Sequence, residues 1–406
     1  MSSDLIDIFE PFISERYFMV YNFDEIIDRS NTNCEKYDGR KRIFGKENLI
    51  PLWVADTDFR TPDFIVEAVK KRADHEVYGY PIKPDSFYNS IRDWMLLQHQ
   101  WNVEKDWILY SPNVVIGLAS SVLSMTKPGD KIIVQPPVYF PFFHVVEGNG
   151  RIMTENPLKL KNGRYYFDFE DLKKKIDKQT KMLLLCNPHN PGGRVWTKEE
   201  LEELAQICSD NEIIVVSDEI HSDIILHGNK HVPFATISEN ASKICITASS
   251  ASKTFNIAGL SSAFMIVSDK ELRFQYNRFM QATHISSGNF FGLVATEAAF
   301  THGADWLKQL IKYIEGNYQF LENYFRNNLP RVKIMKPDST FLVWIDLSDL
   351  NISAEIAFKK IIDAGVGLNP GYLFGTSGHN FVRLNIGCPL SVLKEGLERI
   401  KMALSD

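Results

Sequence analysis

The chain has 406 residues, 44% of them hydrophobic, with 27 Phe and 7 Trp. That is enough apolar material for a sizeable core and more than one domain, and it excludes a disordered chain. Net charge is −6, and the basic runs at 70–72 and 173–175 sit in mixed-charge, helix-like stretches, so solvated helix faces explain them and no nucleic-acid partner is expected.

The chain opens on MSSDLIDIFE, which is acidic and lacks a charged region followed by an apolar run. No apolar stretch reaches the length of a spanning helix, so a cytoplasmic protein with no membrane partner is expected. Five cysteines, at 34, 186, 208, 245 and 388, are odd in number and scattered without a CxxC pair. They suggest reduced thiols, with neither a disulfide framework nor a metal site. Residues 1–48 are too few and too polar to fold alone, and are expected to pack on the C-terminal unit or on a partner subunit.

Short continuous apolar runs then follow one another: KIIV at 131–134, KMLLLC at 181–186, IIVVS at 213–217, ICITAS at 244–249 and AFMIV at 263–267. Between the second and third lies TKEELEELAQICSDN, where Thr197 and Glu200 form a capping box and Leu201, Leu204, Ala205 and Cys208 form one helical stripe. This is a βαβ pattern, and the fold class it predicts is α/β with a mostly parallel sheet buried on both faces. From about residue 291 long helical patterns dominate, followed by FLVWIDL and FVRLNIGCPL, which suggests a smaller α+β domain. The expected division is a large domain at 49–290 and a small one made of 1–48 together with 291–406.

In an open parallel sheet, ligands bind at the carboxyl ends of the strands. KMLLLC leads there into NPHNPGGR, whose two X-Pro turns and Gly pair fix Asn190 in a rigid loop; as a simple turn, one Asn-Pro would suffice. IIVVS leads into Asp218, a carboxylate that must meet a cation or a strong donor if buried, or else cap a helix. A protonated pyridine nitrogen would be such a cation. ICITAS leads into SASK, where small hydroxyl residues including Ser250 suit an anion and Lys253 could serve as a Schiff-base amine and then as a base. Taken alone, Lys253 reads equally as a surface lysine. Arg383 alternates with apolar residues in FVRLNIGCP, so it is poorly solvated unless it meets an internal carboxylate or a substrate's.

The order Asn190, Asp218, Lys253, Arg383 resembles the fold-type I pyridoxal 5′-phosphate (PLP) enzymes related to aspartate aminotransferase. The strings PLWVADTDFRTPDFI, YGYP, SPNVVIGL, PPVYFPF, CNPHNPGGR, SDEIHSD, ASKTFNIAGL and VRLNIGCP resemble the MalY/PatB-type cystathionine β-lyases. The resemblance implies a seven-stranded-type sheet and a homodimer with shared active sites. It further implies a Schiff base at Lys253, with Asp218 on the pyridine nitrogen and Asn190 on the ring hydroxyl, where His221 stands in the place of a common Tyr. Tyr139 would stack on the ring. Val114 and Val115 amides with Ser250 would bind the phosphate, Tyr80 would reach the phosphate of the neighbouring subunit, and Arg383 would hold an amino-acid carboxylate. Two positions depart from the family patterns: Ser261 stands where aspartate aminotransferases carry a phosphate-binding Arg, and Thr57 stands where the lyases usually carry Met. The implied activity is carbon–sulfur lysis, with aminotransfer and a non-catalytic PLP-binding regulator as alternatives.

Overall fold

The computed structural model describes residues 20–405; the acidic N-terminal segment lies outside the described residues. Seven strands form the central sheet: β1 Ile108–Ser111, β2 Lys131–Val134, β3 Ile152–Glu155, β4 Thr180–Cys186, β5 Ile214–Asp218, β6 Cys245–Ser249 and β7 Ala263–Ile266. Their spatial order is β1-β7-β6-β5-β4-β2-β3. Every neighbouring pair is parallel except the two that involve β7. Since β7 alone is reversed, the carboxyl ends of the other six strands share one edge, and the amino end of β7 joins them there.

The apolar runs become strands because helices cover both faces of the sheet. Ile132, Ile133, Val134, Met182, Leu183, Val215, Val216 and Ile246 are all wholly buried, as a continuous apolar run requires. The helix α1 Lys198–Asp210 connects β4 to β5. The Thr197 hydroxyl accepts from the Glu200 N–H at 3.2 Å, and the Glu200 carboxylate accepts from the Thr197 N–H at 2.9 Å, so the capping box is present. Leu201, Leu204, Ala205 and Cys208 are buried, and Ile207 joins them. β1 and β3 are strands that the apolar runs do not announce. β3 lies at the sheet edge with Ile152 46% exposed, so its sequence need not be continuously apolar.

A second sheet of four strands comprises β8 Lys333–Ile334, β9 Leu342–Asp346, β10 Asn369–Pro370 and β11 Phe381–Asn385, in the order β8-β9-β11-β10. All its pairings are antiparallel. Ile50–Pro51 pairs with Val366–Gly367 beside this unit, and Lys46 forms an ion pair with Asp363 at 2.8 Å. Phe23 packs on Phe59 and Trp306. The helix Phe290–His302 packs against the helices Asp63–Ala73 and Asp85–His99. All five cysteines carry free thiols. Among the described residues no helix is long and apolar enough to cross a membrane.

Candidate active site

A cavity of about 310 Å³ opens at the shared strand edge, within the size range of small-molecule sites. Eight of the residues singled out from the sequence line it: Val114, Val115, Tyr139, Asn190, Asp218, His221, Ser250 and Lys253. They come from five separate strand ends, so the convergence follows from parallel topology. Tyr80 is fully exposed and outside this cavity. Arg383 lies immediately behind Asn190, to whose side-chain oxygen it donates at 3.0 Å.

Asp218 closes β5 itself, one residue beyond the apolar run, and no helix follows it. Its carboxylate accepts the Ile220 N–H at 3.2 Å. Burial raises its pKa to about 7, against the opposing effects of that N–H and of the Lys253 charge. A buried carboxylate held this weakly gains from a cation at the cavity. Lys253 is no surface residue: its amine donates to the Ala55 carbonyl at 2.8 Å. Burial lowers its pKa first and Arg383 adds to the fall, while Asp56 and Asp218 oppose it.

Arg383 has no ion pair among the described residues, which removes the internal salt bridge as its explanation. Its partners are neutral: Asn190, the Trp53 carbonyl at 3.1 Å and the Asn369 side chain at 2.7 Å. Its guanidinium also lies 4.9 Å from the Phe374 ring centre. Burial holds its pKa down to about 10, and its Nε finds no hydrogen-bond partner among the described residues. A guanidinium left in this state is set up for a carboxylate from outside the chain.

At the far side of the cavity begins the helix α2 Val114–Met125, capped by Asn113, whose side chain accepts the Ile116 N–H at 2.8 Å. The first-turn N–H groups at Val114 and Val115 have no intrahelical acceptor and meet the cavity with the helix's positive end, a phosphate-compatible arrangement. Ser250 donates to the Ser262 carbonyl at 2.7 Å and accepts the Ser252 N–H at 3.0 Å, so its hydroxyl hydrogen is already engaged. Ser261 and Ser252 line the same wall. His221 is buried with Nδ1 unpartnered among the described residues, and burial, then the Lys253 and Arg383 charges, bring its pKa down to about 3. It is therefore a neutral imidazole at the cavity wall. Tyr139, on the segment after β2, has its pKa raised by burial.

Some lining residues escaped the sequence reading. Cys186 ends β4 and lines the cavity, and the same strand-end rule could have found it. Ala55 also lines it, while Trp53 and Asn369 meet Arg383 outside the lining; Ala55 and Trp53 stand in the PLWVADTDFRTPDFI string, which assigned them no role.

The profile of the family described as aminotransferase class I and II matches residues 47–400. The chain belongs to that family. The chain is 44% identical over 386 residues to cystathionine beta-lyase PatB of Bacillus subtilis (strain 168), covering 95% of this chain and 100% of the relative. Cystalysin from Treponema denticola, whose crystal structure contains a pyridoxal 5′-phosphate cofactor, superposes with a TM-score of 0.92 at 35% identity, covering 95% of this chain and 99% of that one. The PLP-bound C–S lyase from Staphylococcus hominis gives a TM-score of 0.88 at 34% identity, covering 96% and 99%. The expected fold class, with its seven-stranded, mostly parallel sheet, agrees with these neighbours.

Proposed function

We propose that the protein is a PLP-dependent carbon–sulfur lyase that performs α,β-elimination on L-cystathionine or related S-substituted cysteines, yielding thiol, pyruvate and ammonia. The observation that carries this reading is a half-buried lysine amine and a buried carboxylate in one cavity, backed by a guanidinium with no carboxylate partner among the described residues. The cavity also fits the cofactor chemically. The α2 amino terminus suits a phosphate, and Asp218 needs a cation that a ring N–H would supply.

Lys253 would hold PLP covalently, Asp218 its ring nitrogen, Asn190 and His221 its hydroxyl side, Tyr139 its face, and Val114 and Val115 its phosphate, joined by Ser250 once its hydroxyl turns from the Ser262 carbonyl. When bound, PLP supplies the electron sink that makes the substrate Cα–H bond acidic. Arg383 grips the substrate α-carboxylate with its fork and sets the orientation of Cα. Lys253, released when the substrate's own amine takes its place, then has a free amine whose pKa burial lowers, and it takes the Cα proton. The sulfur then leaves Cβ as thiolate and receives a proton, so the overall balance consumes one water and releases ammonia. Asp218 would be the anionic partner of the ring nitrogen, whose positive charge would favour the ionised carboxylate against the effect of burial.

The physiological assembly in this reading is a homodimer in the cytoplasm, with Tyr80 completing the neighbouring subunit's phosphate site. Val77, Tyr78, Tyr80 and Ile82 form an exposed, largely apolar run that a second copy would cover.

The test incubates purified, PLP-loaded protein with cystathionine and no keto acid. Thiol and pyruvate should appear in equal amounts and vanish in Lys253→Ala. Turnover that requires a keto acid, with no thiol released, would establish aminotransfer and sink the lyase reading.

A further inference from the structure

Residues 53–57 belong to neither a helix nor a strand, so their carbonyls have no ladder partners. Each of the five accepts instead from a side chain. Trp53 receives Arg383 at 3.1 Å, and Ala55 receives Lys253 at 2.8 Å. Val54 and Asp56 both receive the side-chain amide of Asn385, at 2.6 and 2.7 Å. Lys36 also donates to the Asp56 carbonyl at 3.1 Å, and Arg29 and Asn256 donate to Thr57 at 3.1 and 2.9 Å.

This is the stretch of backbone that touches both proposed working groups, the amine of Lys253 and the guanidinium of Arg383, through carbonyls two residues apart. Asn385 follows Arg383 by two on β11, so both side chains leave the strand on the same face. Its amide bonds the carbonyls on either side of Ala55, while its oxygen accepts the Gly387 N–H at 2.7 Å. With 1% of its surface exposed and all these bonds made, it has one orientation available.

We propose that Asn385 is a positioning residue for proton transfer: by clamping the Val54 and Asp56 carbonyls it fixes the Ala55 carbonyl, the resting point of the free Lys253 amine, relative to Arg383. The inference rests on the reading of Lys253 as the proton carrier of the proposed lyase. A carbonyl at that point accepts from the ammonium better than from the neutral amine, so it favours the protonated form and sets where the returning proton is held. The ion pairs of Arg29 with Asp56 and Asp58, and of Lys36 with Asp58, at 2.7–2.8 Å, secure the same segment from the other side.

The test uses Asn385→Ala and Asn385→Ser, with circular dichroism to verify the fold. In protein freed of cofactor, the pH dependence of Lys253 acetylation, followed by mass spectrometry, reads the amine directly. Loss of the fixed acceptor should lower its apparent pKa by about one unit, the size of one charge-assisted hydrogen bond. In the loaded enzyme kcat should fall roughly 10- to 100-fold, KM should move less than about threefold, and the acid limb of the kcat profile should shift down with the labelling pKa. Unchanged labelling and kcat in both folded variants overturns the proposal, as does loss of the fold in both, which would make Asn385 a packing residue only. A wild-type enzyme that releases no thiol defeats the lyase reading, while the labelling comparison still decides the role of Asn385.

Discussion

Asp218→Asn should stabilise the cofactor-free protein at alkaline pH while destroying its activity. In the folded chain burial holds the Asp218 pKa at about 7, against 3.8 as its ordinary value. A raised acid pKa means that the folded state is relatively favoured while the group is protonated, so its contribution is fully present below pH 3.8 and is lost as pH rises towards 7. At 1.36 kcal/mol per unit, the shift amounts to a penalty of about 4 kcal/mol above pH 7, of which about 2 kcal/mol develops between pH 5 and pH 7. Asparagine cannot ionise and escapes that penalty. His221 titrates with the opposite sign, since its depressed pKa costs stability as pH falls below the usual imidazole range, but it is common to both proteins and cancels. Urea unfolding at pH 8 and pH 5, with equal m-values, measures the difference between variant and wild type at each pH. The variant's advantage should be larger at pH 8 by about 2–3 kcal/mol. The same advantage at both pH values would refute the account of a desolvated carboxylate. In the loaded enzyme the order of merit reverses, because the substituted amide would carry no charge for the ring nitrogen and thiol release should collapse.

Arg383→Lys keeps the charge but loses the fork, so kcat/KM for cystathionine should fall by about 10²-fold or more. A substrate analogue lacking the α-carboxylate should be poor for both proteins and indifferent to the change; equal losses on both substrates would remove Arg383 from substrate binding. For the shared site, mixing inactive Tyr80→Ala with inactive Lys253→Ala should restore up to about a quarter of wild-type activity, because one site in the hybrid then holds both native residues. No recovery in hybrids verified by mass would place Tyr80 outside the partner's site.

The sequence by itself determined five of the seven central strands, the capped helix Lys198–Asp210 and the strand ends that carry Asn190, Asp218 and Lys253. These are local properties: a fully buried strand must be continuously apolar, and the first polar residue after it sits where a parallel sheet opens its ligand edge. The edge strand Ile152–Glu155 lacked that signature because one face of it meets solvent. Only the tertiary structure decided whether Arg383 was a spent salt bridge or a guanidinium awaiting a carboxylate. Its neighbours Trp53, Asn190 and Asn369 come from three distant parts of the chain, and each is an ordinary residue where it stands. The same holds for the carbonyls of Trp53–Thr57. A carbonyl is identical in every residue, so its use as the resting point of Lys253 is set by what folds against it, and no sequence pattern records that.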